Sequence, residues 1–276
     1  MHAQQPQQTP ENTATLAEQV RQAKQDILTV LFEIDHITLQ ENPRIEADYA
    51  VKIGYLENEV LEARIAMRRA QRKVTLARAQ ANNGLAVDES GIEKQLDTEL
   101  EDWYNKLSTA VANYYQQVEA RCSLVPLSPA DSEELKRLFR QLAKRLHPDI
   151  NPNQTDEEAA LFALAQMAYQ AGDLNTLRSL VSTLGPGTDE PDPTDELQLS
   201  ALLTVLQAQL QVHEADLAAV KEAFPYCFKE KLADPQWVAN KAQELQATKD
   251  EYLQIAAKSN RVFAELKNKM EGGTER

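Results

Sequence analysis

Apolar residues recur in strict alternation of three and four positions over two long stretches in the first third of the chain. The first stretch holds Leu16, Val20, Ala23, Ile27, Val30, Ile34 and Ile37, and the second extends from Ile53 to Ala81. This spacing places the apolar side chains along one narrow face of an α-helix, as in the seam of a coiled coil. Because Pro43 separates the two stretches, we predict two coiled-coil helices that fold back on each other there.

The last third of the chain repeats this pattern. Its first run is Leu199, Leu203, Leu206, Leu210, His213, Leu217, Val220 and Phe224, and a second run extends from Leu245 to Leu266. Because Pro225 separates the runs, a second helical hairpin is predicted. His213 lies on the seam, where a lone polar residue is more typical of register control than of metal binding.

The second helix carries a cluster of cationic side chains, and no acidic ones, between Arg64 and Arg78. One interpretation is a basic stripe that binds RNA or an acidic protein. The other, which we favour, is a solvated surface paired with acidic residues of the next helix, predicted from Ser90 to Arg121. That helix also carries an aromatic cluster, which at helical spacing is typical of packing: Trp103, Tyr104, Tyr114 and Tyr115.

Composition narrows the classes of function. The formal net charge of −14 argues against general binding to nucleic acid or to anionic membranes, because both require a cationic surface. No apolar run is long enough to cross a bilayer, and the polar N-terminus lacks the features of a signal peptide. Cys122 and Cys227 are too isolated to form a metal or redox motif. We therefore expect a soluble, cytoplasmic protein.

The sequence has no sign of catalytic chemistry. It contains no glycine-rich phosphate loop, no nucleophile beside a base, and no cluster of cysteines and histidines. Its many carboxylates are spread over predicted helix surfaces, where solvation is their usual role. We therefore expect no enzyme activity, no catalytic residue, no cofactor and no metal site.

A basic helix, a polar turn and a second helix follow in the middle of the chain. Asp131 or Ser132 is the predicted N-cap of the basic helix. Its apolar stripe consists of Leu135, Leu138, Leu142 and Leu146. Pro148 disfavours the helical conformation at His147 and so ends the helix. Thr155 and Glu158 predict a capping box for the second helix, which gives a helical hairpin with an exposed tip.

The segment FRQLAKRLHPD, from Phe139 to Asp149, together with Phe162, Ala165, Ala168 and Tyr169, resembles the J-domain. J-domains are the modules through which J-proteins engage DnaK-type chaperone ATPases. The resemblance implies that the tip, His147-Pro148-Asp149, triggers ATP hydrolysis in the partner. It implies a docking surface, here called the basic face, formed by Lys136, Arg137, Arg140, Lys144 and Arg145. The implied J-domain core comprises Leu138, Phe139, Leu142, Leu146, Phe162, Ala165 and Tyr169.

The sequence departs from the J-domain pattern at both ends of the hairpin. No first helix with the usual Tyr-Tyr-x-x-Leu-Gly opening precedes Leu127. After Tyr169, the family's short fourth helix is replaced by QAGDLNTLRSLVSTL. We expect the aromatic cluster around Trp103 to pack against the hairpin and to bury what a first helix would cover.

The chain is thus expected to be all-α, with long antiparallel coiled-coil helices flanking a compact J-domain-like helical hairpin. The expected segments are a disordered N-terminus (1–14), N-terminal coiled-coil helices (15–122), the J-domain-like unit (123–184), an acidic Pro/Gly linker (185–196) and a C-terminal coiled-coil hairpin (197–271).

The resemblance implies a co-chaperone that docks on a DnaK-type ATPase and stimulates its ATP hydrolysis. The coiled-coil arms would localise it or bind a client or another coiled-coil protein, and the regular seams are also compatible with a homodimer. A different interpretation is a coiled-coil scaffold or adaptor with a vestigial J-like domain. A third is an RNA-associated protein that uses the stripe from Arg64 to Arg78.

Overall fold

A computed structural model of the chain describes residues 10–123, 127–184 and 195–273. Regular structure in these ranges is helical throughout, and they contain no β-strand. The all-α fold expected from the sequence, with long helices beside a compact helical hairpin, is confirmed. None of the described helices is apolar over a length that would cross a membrane.

Helices α1 (Pro10–His36), α2 (Asn42–Tyr49) and α3 (Tyr55–Asn82) follow one another directly, joined by π-helical turns at Ile37–Glu41 and Ala50–Gly54. They are followed by α4 (Glu89–Glu99), α5 (Glu101–Ser123), α6 (Pro129–Leu146), α7 (Asp156–Ala171) and α8 (Leu174–Leu184). The remaining helices are α9 (Glu196–Glu222), a 3-10 turn (Tyr226–Phe228), α10 (Lys229–Ala233) and α11 (Pro235–Gly273).

The predicted break at Pro43 is wrong, because the helix passes through this residue. In an α-helix, proline lacks the N–H that bonds to the preceding turn, and its ring clashes with the carbonyl four residues earlier. Here the preceding turn is π-helical, since the Asn42 N–H donates to the Ile37 carbonyl five residues back. This wider turn changes the backbone just ahead of the proline, and the helix continues beyond it.

The structure divides into two compact units. The first combines residues 1–45 with 125–227, and the second combines residues 46–124 with 228–276. Each unit therefore contains helices from both halves of the chain. The N-terminal and C-terminal helices therefore do not form the two separate hairpins predicted from the sequence.

In the first unit, α1 pairs with α9 along the predicted seams, except that Leu31 is buried in place of the predicted Val30. Their shared core contains Val20, Ala23, Ile27, Leu31, Leu199 and Leu206. The Nζ atom of Lys221 lies 2.6 Å from Oε1 of Glu33, which joins the last turns of the two helices. If the helices were antiparallel, this ion pair would place Leu199 about 30 Å beyond Glu33 and outside the shared core. The two helices therefore run in the same direction.

In the second unit, α3 and α11 also pair in the same direction. The Nζ atom of Lys249 lies 2.9 Å from Oε2 of Glu59, near the start of α3, and Phe263 packs with Val74 and Ala77 further along. The predicted hairpins are thus wrong in their pairing. A heptad pattern shows which face of a helix is apolar, but it does not show which helix covers that face.

The basic stripe between Arg64 and Arg78 contacts acidic side chains of its own unit. The ion pairs are Arg69 with Glu93 and Asp97, Arg72 with Glu99, and Lys73 with Glu89 and Glu93. Arg68 also lies over Trp103, with its Cζ atom 4.3 Å from a ring centroid. These contacts favour the paired-surface interpretation over an RNA-binding stripe.

The expectation that the aromatic cluster completes the J-domain-like hairpin is wrong. Trp103 belongs to the second unit, where arginines of α3 stack on its ring. The core of the hairpin is completed instead by Phe32 of α1 and by Leu177 and Leu180 of α8.

Some of the expected segment boundaries can be compared with the structure, and others cannot. Helix α1 begins at Pro10, within the segment expected to be disordered, and proline is well tolerated in the first turn of a helix. Residues 1–9, linker residues 185–194 and the side chain of Cys122 lie outside the described residues. At the end of the linker, Asp195 caps α9 by accepting the Gln198 N–H at 3.2 Å.

Candidate functional site

The hairpin formed by α6 and α7 is closed by a continuous apolar core. The buried side chains include all those expected for a J-domain core: Leu138, Phe139, Leu142, Leu146, Phe162, Ala165 and Tyr169. Helix α6 begins at Pro129, earlier than the predicted cap at Asp131 or Ser132. The reason is that the Ser128 hydroxyl accepts the Asp131 N–H at 3.1 Å and provides the cap.

The tip is built around the ring of His147. This residue leaves α6 in an extended conformation (φ −69°, ψ 131°), as expected before a proline, while its N–H still donates to the Ala143 carbonyl. Its side chain is only 9 % exposed, and the ring meets that of Phe162 edge to face at 5.1 Å. His147 is therefore a packed residue, whereas Pro148 is exposed.

Hydrogen bonds to His147 hold the rest of the turn. The Asp149 N–H donates to Nδ1 of His147 at 3.1 Å. The N–H groups of Ile150 and Asn151 donate to the His147 carbonyl at 3.1 and 2.9 Å. The Asn151 side-chain amide also donates to the Arg145 carbonyl. The tip is thus a closed turn that presents the Asp149 carboxylate outward.

Burial lowers the pKa of His147, and the nearby Asp149 carboxylate opposes this shift only in part. The ring is therefore more easily protonated in the unfolded chain than in the folded tip. Because the unfolded state takes up the proton more readily, the stability that the ring contributes decreases as pH falls below the usual histidine pKa.

The basic face extends along α6, but its members differ in exposure. Arg137, Arg140 and Lys144 are exposed, whereas Lys136 and Arg145 are half-buried. All five cations lie on α6, and three of them are exposed to solvent.

Two cations of the basic face are held by other helices of the unit. The Cζ atom of Arg140 lies 4.2 Å from the ring centroid of Phe32 in α1. Arg145 donates to the Leu184 carbonyl at the end of α8. The orientation of this face therefore depends on α1 and α8 as well as on α6.

Local sequence accounts for both ends of α7. The Thr155 hydroxyl accepts the Glu158 N–H at 3.2 Å, and the Glu158 carboxylate accepts the Thr155 N–H at 2.9 Å, which confirms the predicted capping box. At the other end, Gly172 adopts the left-handed conformation (φ 71°), and the Asp173 N–H donates to the Ala168 carbonyl at 2.8 Å. The chain then turns directly into α8.

Helix α1 packs against the hairpin through Phe32 and His36. Phe139 stacks on Tyr169 with ring centroids 4.2 Å apart, and Phe32 packs beside both rings. The Nδ1 atom of His36 lies 2.8 Å from the Tyr169 hydroxyl. Phe32 and His36 lie off the predicted seam but one turn apart, and this spacing is the sequence signal for a second contact surface on α1.

The tip also contacts α9. The Nε2 atom of His213 lies 3.4 Å from Oδ2 of Asp149, and Ile150 packs against the core shared by α1 and α9. The side chain of Asp149 is 41 % exposed, and that of His213 is 14 % exposed. Heptad spacing places His213 on a seam, but its contact with the tip has no signature in the sequence.

A buried carboxyl group lies where α1 meets α7. Gln166 Nε2 donates to Oδ1 of Asp35 at 3.3 Å, whereas Oδ2 is buried with no hydrogen-bond partner among the described residues. Burial raises the pKa of Asp35 to about 6, and the hydrogen bond from Gln166 offsets this effect only in part. Ionisation of Asp35 therefore opposes the packing of α1 against α7.

The sequence of this hairpin is similar to that of a known protein family. Residues 125–171 match the family model described as the DnaJ domain. Two curated proteins match over 75 residues: human DnaJ homolog subfamily B member 8, at 35 % identity, and the mouse protein of the same name, at 32 %. Each alignment covers 27 % of this chain and 30 % of the relative, so the chain spans less than a third of these relatives. No solved structure matches significantly.

Replacing Asp35 with asparagine is expected to stabilise the first unit at neutral pH. The folded state retains the Asp35 proton between the ordinary carboxyl pKa and about 6, whereas the unfolded chain loses it. The free energy of unfolding of the wild type should therefore fall as pH rises through this window. At pH 7.5 the Asp35→Asn variant should be more stable by about 1 to 3 kcal/mol, and near pH 4 this gain should vanish.

Urea unfolding followed by far-UV circular dichroism at the two pH values measures this difference. Asp26→Asn, a change at an accessible carboxylate of the same helix, is the matched control and should show no such pH-dependent gain. An Asp35→Asn gain of equal size at both pH values would contradict the role of ionisation.

Proposed function

We propose that this protein is a co-chaperone that docks on a DnaK-type chaperone and stimulates its ATP hydrolysis, because residues 125–171 match the DnaJ domain. The observation that carries the proposal is the geometry of the tip. A buried His147 holds Pro148 and Asp149 outward at the end of a cationic helix. The family match supports the presence of a J-domain, and the geometry of the tip supports its proposed ability to stimulate ATP hydrolysis.

Docking is proposed to begin at the exposed cations of the basic face, Arg137, Arg140 and Lys144. The chain as a whole is strongly acidic, with a net charge of −14, so a local cationic surface is distinctive. Such a surface orients the encounter with an acidic partner and raises the association rate more than the final affinity. Added salt should weaken this step because it screens exposed charges.

The tip is proposed to act after docking. To stimulate hydrolysis, it must bind the hydrolysing conformation of the chaperone more tightly than the other conformations. Backbone hydrogen bonds to His147 already hold the turn, so little conformational freedom is lost when Asp149 meets the partner.

The paired helices are proposed to localise the J-domain or to bind a client or a coiled-coil protein. Within the first unit, α1 contributes to the J-domain core and to the pair of helices. Phe32 packs in the J-domain core, while Ile27 and Leu31 pack with α9. Any partner held by α1 and α9 would thus lie on the same compact unit as the tip. We propose no enzyme activity and no cofactor for this chain, and a location in the cytoplasm.

The protein is expected to raise the single-turnover rate of ATP hydrolysis by a bacterial DnaK-type chaperone, and His147→Gln is expected to abolish this effect. The substitution removes the ring that accepts the Asp149 N–H and packs on Phe162. Helical content, checked by circular dichroism, should be retained. Equal stimulation by the variant would show that the mechanism is wrong. If neither protein stimulates while an established J-protein does, the scaffold or adaptor interpretation takes its place.

A charge reversal at Lys144 is expected to weaken docking without changing the structure of the tip. Lys144→Glu should raise the concentration needed for half-maximal stimulation by about fivefold to tenfold, because it places a carboxylate on the basic face. Lys94→Glu makes the same charge change at an exposed lysine of the second unit and is the matched control. Equal loss in both variants would mean that net charge, and not the basic face, governs docking.

Removal of His213 is expected to increase stimulation. Its imidazole lies against the Asp149 carboxylate and so competes with a chaperone for that group. His213→Ala should therefore raise stimulation by about twofold to fivefold below saturation, since a larger fraction of the tip is competent to bind. Gln211→Ala, an exposed change on the same helix, should have no effect. Unchanged activity of His213→Ala would mean that α9 does not limit access to the tip.

A further inference from the structure

Helix α9 is apolar on two opposite faces. Its inner face, which includes Leu199 and Leu206, is buried against α1. On the opposite face, Leu197, Val205 and Val212 are 78 %, 54 % and 59 % exposed. A surface helix normally has a single apolar face, which is buried, so a second apolar face indicates a second contact. The described residues of this chain cover only the inner face.

The outer face of α9 follows a heptad pattern of its own. Its central residues are all exposed and are spaced alternately by four and three positions: Ala201, Val205, Ala208, Val212 and Ala215. Read outward from Ala208, both directions give a valine and then an alanine. A surface with this symmetry complements itself when two copies meet in antiparallel orientation about a two-fold axis. Ala208 then faces its counterpart, and Val205 faces Val212 of the second copy.

Charge permits a second copy to occupy this face. No charged side chain occurs between Leu197 and Val212. Each chain carries a net charge of −14, so two copies repel each other over most of their surfaces. The outer face of α9 allows contact without opposing like charges. It is also continuous with the coiled coil of α1 and α9, so a second copy extends an existing layer of paired helices.

We propose that this protein forms a homodimer through the outer face of α9, with the two α9 helices antiparallel about Ala208. The alanines permit close approach of the helices, and the valines supply the larger apolar contacts. The inner seam expected to support a homodimer is already occupied by α1. The contact from Ala201 to Ala215 extends about 20 Å along the helix and is small for a permanent assembly, so the dimer should be weak and dependent on concentration.

Sedimentation velocity of the full-length protein tests this proposal over about 1 to 200 µM, where a weak dimer forms and dissociates. The wild type is expected to change from monomer to dimer across this range. Val205→Glu and Val212→Lys each bring two unpaired charges into the contact and should weaken the dimer by at least about tenfold. Gln207→Glu, on the flank of α9, is the matched control and should leave dimerisation unchanged.

The double variant Val205→Glu/Val212→Lys tests the orientation of the two helices. In the antiparallel dimer each glutamate faces a lysine of the other copy, so the double variant should recover the affinity that each single variant loses. A parallel dimer would oppose like charges and gain nothing. Both positions are exposed in the single chain, so the variants should retain their fold, which circular dichroism verifies.

Two results would overturn the homodimer: a wild type that remains monomeric throughout, or a dimer that neither single variant weakens. If the single variants weaken the dimer and the double variant does not restore its affinity, the antiparallel contact is refuted. None of these measurements involves a chaperone, so they do not depend on the proposed co-chaperone activity.

Discussion

The packing of Phe32 on the stacked rings of Phe139 and Tyr169 is the contact on which the first unit depends. Both stacked rings are fully buried, and Phe32 of α1 lies beside each of them. The same phenylalanine ring lies under the guanidinium of Arg140. One side chain therefore closes the hydrophobic core and orients a cation of the basic face. Core packing and presentation of the docking surface have a common physical cause.

Heptad spacing predicted the long helices and the faces that they bury, such as the face of α1 that contains Val20 and Ile27. It could not predict their pairing, because an antiparallel hairpin and a parallel pair of distant helices require the same apolar stripe. Pro43 was misinterpreted for a related reason. The rule that proline ends a helix assumes α-helical hydrogen bonds, and the π-helical turn ahead of Pro43 alters them.

Features of the site that depend on neighbours in the chain were predictable. Pro148 ends α6 at His147, and the capping box of α7 forms as its residues predict. The contacts of Phe32 with Arg140 and of His213 with the tip join residues far apart in the chain. A single sequence carries no local pattern for such contacts, because each side chain is also compatible with an ordinary position on its own helix.

The pairing of α1 with α9 has a consequence for the synthesis of the chain. Val20 leaves the ribosome long before Leu206, and at about 5 to 20 residues per second the seam of α1 waits roughly 10 to 40 s for its partner. Contacts between such distant residues also slow folding, because a large loop must close before they form. During this interval the apolar side chains of Ile27 and Leu31 have no native cover. The nascent first helix is therefore prone to aggregation during synthesis of the chain.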